Sequence, residues 1–248
     1  MKFYEIQGLQ FTTANIVLES IPQKSIETGE WESSEIQLIK KYLKPEDTVL
    51  ELGACIGVVS CVTNAMLDNP EHHVVVEANP KTAKVLEINK RKNGSGFAIE
   101  NCLVFRNHSG KFYPASGAPQ SGSTIIHNDG RTSKKGKENP NQFDFDFVQL
   151  PVVTIEHLEG KHHLRFNTLI MDIEGGEFQF IQENIDFISK IDLAIIEFHH
   201  RFDLPECDQA AYDKAASTLK SCGLVELKNV VTVRGRQIET ATECWGRP

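Results

Sequence analysis

Continuous apolar runs that alternate with helical periodicity constrain this chain more than any other feature. TVLELG (48–53), HHVVVEA (72–78), FAIENCLVF (97–105), TLIMDIEG (168–175) and DLAIIEFHH (192–200) read as strands buried on both faces. Between them the spacing predicts helices over 58–67 and 80–92, and a helical stripe at Phe178, Ile181, Ile185 and Ile188. Asn79 stands where a cap is needed, Pro80 at the first helical position, and Gly94 closes that helix. Strands joined by helices imply an α/β fold, a mainly parallel sheet with helices on both faces. Further on, 208–222 reads as a helix stopped by Gly223. LVELKNVVTV (224–233) and ETATECW (239–245) then form a hairpin around RGRQ and give the sheet an antiparallel edge. The first 30 residues are expected to form a short hairpin or lid. Ile36, Ile39 and Leu43 mark a helix that Ser33 or Ser34 could cap, with Pro45 just past its end.

Residues 106–148 break this rhythm. They are rich in Gly, Pro, Ser and Asn and carry Arg131, Lys134, Lys135 and Lys137. Such a stretch inside a domain is expected to be partly mobile and to shape a binding site. FVQLPVVTI (147–155) offers an extra strand, and Thr154 the start of a short helix.

The strongest chemical signal is E-L-G-A-C-I-G (51–57), which closes the first strand and opens a helix. Gly53 permits a sharp turn, and Gly57 is expected to let a ligand approach the helix start. A tight strand-to-helix turn without a ligand would look the same. Glu77, closing the second strand, is placed to accept the ribose hydroxyls of an adenosine-containing ligand. Glu51 at the turn would repel a pyrophosphate, whereas the ammonium and sulfonium of S-adenosylmethionine would be attracted. The G-x-G-x-x-G spacing of dinucleotide sites is also absent, so charge favours S-adenosylmethionine over NAD.

A second signal is D-I-E-G-G-E (172–177). Asp172 ends a strand at the edge where open α/β sheets bind ligands, and Gly175 and Gly176 let the backbone turn there. Asp172 and Glu174 are candidate catalytic carboxylates; the bland alternative for Asp172 is a carboxylate holding loop amides. Glu177 reads as an acid stabilising a helix dipole. In E-F-H-H (197–200), Glu197 and His199 share a face by strand alternation. His199 could take a hydroxyl proton near neutral pH or be a hydrogen-bonded strand-end histidine, and the second reading is preferred for His200. No metal is assigned, since the donor spacing is not diagnostic.

VLELGACIGVVS, VVVEANP, LIMDIEGGEFQFI and IIEFHH, in this order, resemble the blocks of the FkbM family of methyltransferases over about residues 30–200. The resemblance implies a Rossmann-like class I methyltransferase sheet of seven strands with the last antiparallel. It implies O-methylation, often of sugars or small metabolites, with S-adenosylhomocysteine as product. It carries Glu51, Gly53, Ala54, Cys55 and Gly57 over as the methionine-side loop, Glu77 and Ala78 as the ribose side, and Asn101 and Cys102 as flanks of the adenine. Asp172 is counted with both the cofactor and the acceptor. Cys55 stands where the family usually has Asn. On this reading 1–248 is one methyltransferase domain: an N-terminal lid and helix (1–45), a cofactor-binding half (46–105), an irregular insert (106–150) and a substrate-side half (151–248).

Composition limits the alternatives. A net charge of −8 disfavours nucleic acid and acidic membrane surfaces. Six cysteines without a C-x-x-C pair read as reduced thiols. No leader or membrane span is evident, so a cytoplasmic protein is expected. The expected acceptor is a small polar or sugar-like hydroxyl compound. A protein or glycan acceptor using the 131–137 cluster, and a non-catalytic S-adenosylmethionine-binding module, are the competing readings.

Overall fold

The strand alternation read from the sequence sorts side chains onto two faces of one sheet, and those faces decide where the polar groups meet. The computed structural model describes residues 1–14, 16, 20–107, 109–114, 122–123, 147–200, 207–234 and 237–248. The first half runs β1 (Tyr4–Ile6), β2 (Leu9–Phe11), α1 (Ser20–Thr28), α2 (Ser33–Tyr42), β3 (Val49–Leu52), α3 (Val58–Asn64), β4 (His73–Val76), α4 (Pro80–Asn93), β5 (Ala98–Glu100) and β6 (Leu103–Val104). It continues with β7 (Lys111–Pro114), β8 (Gly122–Ser123), β9 (Val148–Gln149), β10 (Val152–Val153), α5 (Ile155–His162) and β11 (Thr168–Met171). The last part is α6 (Glu177–Glu183), α7 (Ile185–Ile188), β12 (Leu193–His199), α8 (Gln209–Ser221), β13 (Val225–Arg234) and β14 (Gln237–Gly246).

Seven strands form the central sheet in the order β13–β14–β12–β11–β3–β4–β5. The five strands from β12 to β5 are parallel, and β14 runs antiparallel to both β12 and β13. The antiparallel strand therefore lies one place in from the sheet's end. On one face Leu50, Leu52, Leu169, Met171, Ala194 and Ile196 pack with Phe178, Ile181 and Leu219 of the following helices. On the other, Val49, Ile170 and Ile195 pack under Leu38 and Ile39 of α2 and Val59 of α3. Burial of each of these side chains larger than alanine contributes about 1.5–3 kcal/mol. By the same alternation, Glu51, Asp172, Glu197 and His199 belong to the face that α2 and α3 cover.

The N-terminal segment forms the expected hairpin, β1 pairing with β2. Asn89 of α4 ties it to the glycine turn: its side chain accepts from the Thr12 amide (2.8 Å) and donates to the Ile56 carbonyl (2.8 Å). Asn79 caps α4, Thr154 caps α5, and Gly94 ends α4 in the left-handed region. All six cysteines are free thiols. Among the described residues, no helix is long and apolar enough to cross a membrane.

Three local expectations are corrected. The run 97–105 is two strands: β5 joins the central sheet, while β6 pairs with β10 in a separate parallel ladder. Asn101 causes the break by donating to the Glu77 and Ala78 carbonyls (2.7 and 2.9 Å), which draws the chain aside. The stripe from 178 to 188 is two helices, because the Asn184 side chain donates to the Phe180 carbonyl and competes with the helical ladder. At the start of α2 neither serine caps. Glu32 is the cap residue, with left-handed backbone (φ 56°). Within the 106–148 insert, β7 pairs with β8 and β9. Residues 115–121 and 124–146, which include Arg131, Lys134, Lys135 and Lys137, lie outside the described residues.

Candidate active site

The carboxyl ends of β3, β4 and β11 open into a cleft of about 700 Å³, its mouth included. Gly53, Cys55, Glu77, Ala78, Asp172 and Glu174 give it a polar side. Cys102, Leu103, Val104, Phe105, Phe112 and Ile173 give it an apolar one. Its mixed polar and apolar lining suits an adenosine-containing ligand. Glu77 is buried and held from three directions. The Cys55 amide donates to Oε2 (2.6 Å); the Asn79 amide (2.7 Å) and the Thr82 hydroxyl (2.8 Å) donate to Oε1. Burial pushes its carboxyl up to about 7 against the pull of those donors. An ionised carboxylate can accept about four hydrogen bonds, so capacity remains for a ligand hydroxyl.

A second hollow of about 430 Å³ lies alongside, sharing Leu52, Gly53, Cys55 and Asp172 with the first. Trp31, Glu32, Glu35 and Glu51 line it. Here the structure gathers carboxylates that the sequence keeps far apart. The donor atoms of Glu32, Glu35 and Glu197 lie within 4.8 Å of one another, as do those of Asp172, Glu177 and His199. Trp31 donates its indole N–H to Glu32, and Thr242 donates its hydroxyl to Glu35 (3.1 Å). Burial, then the neighbouring carboxylate, pushes Glu32 and Glu35 each up to about 8. Removal from water and the Glu197 charge raise Asp172 well above the usual range, with His199 pulling the other way. Asp172 Oδ1 is buried without a hydrogen-bond partner among the described residues.

His199 closes this cluster. Its Nε2 is 3.6 Å from Asp172 Oδ1 and 3.7 Å from Glu174 Oε2, and its Nδ1 is 3.2 Å from Glu177 Oε1. Burial alone would lower the imidazole; Glu177, Glu174 and Asp172 together raise it well above its ordinary range.

Several expectations for individual residues change. Glu51 does not project into the larger cleft. It is buried, accepting from Ser60 (2.6 Å) and lying 3.0 Å from His73 Nε2, and it borders only the smaller hollow. Ala54 likewise borders only the smaller one. Gly57 lines neither; a Cβ there would meet the Leu86 side chain at 2.3 Å, so packing explains this glycine. Gly53 is required by backbone: a Cβ would fall 1.6 Å from the Asp172 carbonyl oxygen. Asn101 holds the loop after β4 and does not line the cleft, whereas Ala78 and Cys102 do. His200 is buried against Phe178 and Tyr212. Sequence reasoning missed Glu32, Glu35, Phe105 and Phe112. Only the acid spacing in W-E-S-S-E (31–35) hinted at the first two.

Among curated proteins, no sequence matches this chain. Solved structures resemble it in fold. A tRNA methyltransferase of M. jannaschii aligns with a TM-score of 0.53 at 12% identity, over 99% of this chain and 56% of that one. Magnesium protoporphyrin IX methyltransferase from Synechocystis PCC 6803, solved with bound S-adenosylmethionine, aligns with a TM-score of 0.51 at 10% identity, over 94% and 86%. At these identities the likeness shows the Rossmann-like methyltransferase fold and nothing finer. The methyltransferase FkbM domain matches residues 51–224, a span that starts at Glu51 and takes in the Glu77 cleft, the 172–177 loop and His199. The chain therefore belongs to the FkbM family of methyltransferases.

Proposed function

We propose that the protein methylates a hydroxyl of a small polar or sugar-like acceptor, with His199 taking the hydroxyl proton and Asp172 orienting the acceptor. The observation that carries this reading is the placement of His199 Nε2. It lies beyond hydrogen-bond reach of Asp172 and Glu174, at 3.6 and 3.7 Å, next to the edge of the cleft. Once the ring has given up its extra proton, a hydroxyl beside these groups can donate to Nε2 while Asp172 holds it.

Bound S-adenosylmethionine supplies a methyl carbon activated by a sulfonium. Glu77 would accept from the ribose hydroxyls, with Ala78 beside them, and Leu103 and Phe105 would flank the base. His199 Nε2 would take the acceptor's hydroxyl proton, and Asp172 would hold the acceptor oxygen toward the cleft. Alignment and proton removal are what the protein must provide. Among the described residues, the lining of both hollows holds no Lys or Arg to pair with a phosphate, which favours a neutral acceptor over nucleic acid.

The test begins with methyl-labelled cofactor, a panel of glycans and cell extract, with labelled products identified by mass spectrometry. On the acceptor so found, His199→Gln and Asp172→Asn should lower single-turnover methyl transfer by about 10²–10⁴. Calorimetry should find cofactor affinity within a few-fold of the parent. Normal turnover in His199→Gln would move the base elsewhere. Loss of cofactor binding in Asp172→Asn would assign Asp172 to the cofactor instead.

A further inference from the structure

We propose that Glu177 is the positioning residue for His199: its carboxylate fixes the imidazole with the proton on Nδ1 and leaves Nε2 to exchange a proton with the acceptor. This rests on the reading of His199 as the base. The sequence suggests a plainer role, an acid in the first turn of a helix that stabilises its dipole. The structure gives the side chain other work. Glu177 is fully buried. Its oxygens turn back to the loop before α6, accepting from the Ile173 amide (3.0 Å, Oε1) and from the Gly175 amide (3.1 Å to each oxygen). Its third partner is His199 Nδ1, 3.2 Å from Oε1.

The direction of that last bond follows from the chemistry of the donor set. A carboxylate holding two amide N–H groups is present as an acceptor, and an ionised carboxylate has no proton to give. The proton therefore sits on Nδ1. This settles which tautomer the neutral ring adopts, since the partner of one nitrogen fixes the state of the other. Nε2 then points toward Asp172 and Glu174.

One oxygen does two jobs. Glu177 Oε1 pins the loop carrying Ile173 and Glu174, both of which line the cleft, and it holds the ring. That loop needs pinning: Glu174 has φ 55° and Gly175 has φ 101°. The cleft wall and the base are thus set as one unit. Among the described residues, the charged groups facing the ring are Glu177 from α6, Glu174 and Asp172 from the end of β11, and Glu32 from the start of α2, with His200 beside it on the chain. Glu177 is the one in hydrogen-bond contact.

The experiment is histidine-labelled nitrogen NMR of the full chain with S-adenosylhomocysteine bound, His199 being assigned by its absence in His199→Gln. In the parent protein the neutral ring should carry its proton on Nδ1; a ring protonated on Nε2 overturns the proposal without any variant at Glu177. Glu177→Gln separates charge from pinning. Its amide oxygen can accept from Ile173, Gly175 and Nδ1, so the loop is kept while the charge is lost. The His199 midpoint should then fall by about one unit or more. The acid limb of kcat should move to lower pH by the same amount, with cofactor affinity within a few-fold. An unmoved His199 midpoint in Glu177→Gln, alongside a crippled His199→Gln, overturns the role of Glu177 and leaves the base in place. Normal turnover in His199→Gln overturns the base itself, and this proposal with it.

Discussion

Glu77 meets the cofactor cleft with a carboxyl that burial has moved to about 7, inside the range where a cell's pH can change its charge. On the proposed placement ribose hydroxyls would donate to it, so binding would favour the ionised form. S-adenosylmethionine should therefore bind more tightly as pH rises from 6 to 8, by up to about tenfold per unit below the midpoint. In Glu77→Gln calorimetry should give a flatter curve and weaker binding; parallel curves would exclude Glu77 as the titrating ligand. The glutamine also has to serve the Cys55 and Asn79 amides, both of which donate to Glu77. Its affinity loss will for that reason include some loosening of the loop. Cys55 adds to the demand on this loop, since it holds a left-handed backbone (φ 50°) without being glycine. Asn, the family's usual residue here, tolerates that region better.

At the scale of elements, α3 starts on Gly57, and the reason is steric. Gly57→Ala brings a Cβ into left-handed backbone (φ 87°) and against Leu86. Denaturant unfolding should show a loss of about 2–4 kcal/mol. Leu86→Ala alone should cost about 2–5 kcal/mol because Leu86 is fully buried. Combined with Gly57→Ala, the loss should be smaller than the sum of the two, since the clash is relieved while the backbone strain stays. A stable Gly57→Ala that had lost cofactor binding would return Gly57 to the ligand. The order of the elements was legible in the chain because apolar runs and caps such as Asn79 and Thr154 are local signals. The breaks at Asn101 and Asn184 were not, because each depends on where a side-chain amide finds a carbonyl. The glycine turn was legible as a turn. Whether Gly57 served a ligand or Leu86 was not, because Leu86 reaches it only through the packing of α4 on α3.

The whole molecule brings α2 across the sheet face that carries Asp172, Glu197 and His199, and so assembles an acidic site from distant segments. Asp172 and His199 could be named from their strand ends; Glu32 and Glu35 could not, because nothing local says which strands α2 will cover. This gathering affects stability. Glu32 and Glu35 titrate near 8 and Glu77 near 7, all above the usual carboxylate range. The raised His199 acts in the same direction. The folded protein thus holds more protons than the unfolded chain between about pH 4.5 and 8, and stability falls as pH rises through that window. Thermal melts should show Tm declining from pH 6 to 9 and a shallower decline in Glu35→Gln; a rising Tm would contradict the burial of these acids. The sheet order has a further consequence, for synthesis. β12, which carries His199, is paired on its outer side by β14, with His199 opposite Thr240, and β13 reaches the sheet only through β14. A nascent chain that has emerged as far as β13 still presents the β12 edge unpaired. Until residues 237–246 clear the ribosome, that edge is open to any other strand, so a stalled or shortened translation product is the form of this protein most prone to aggregate.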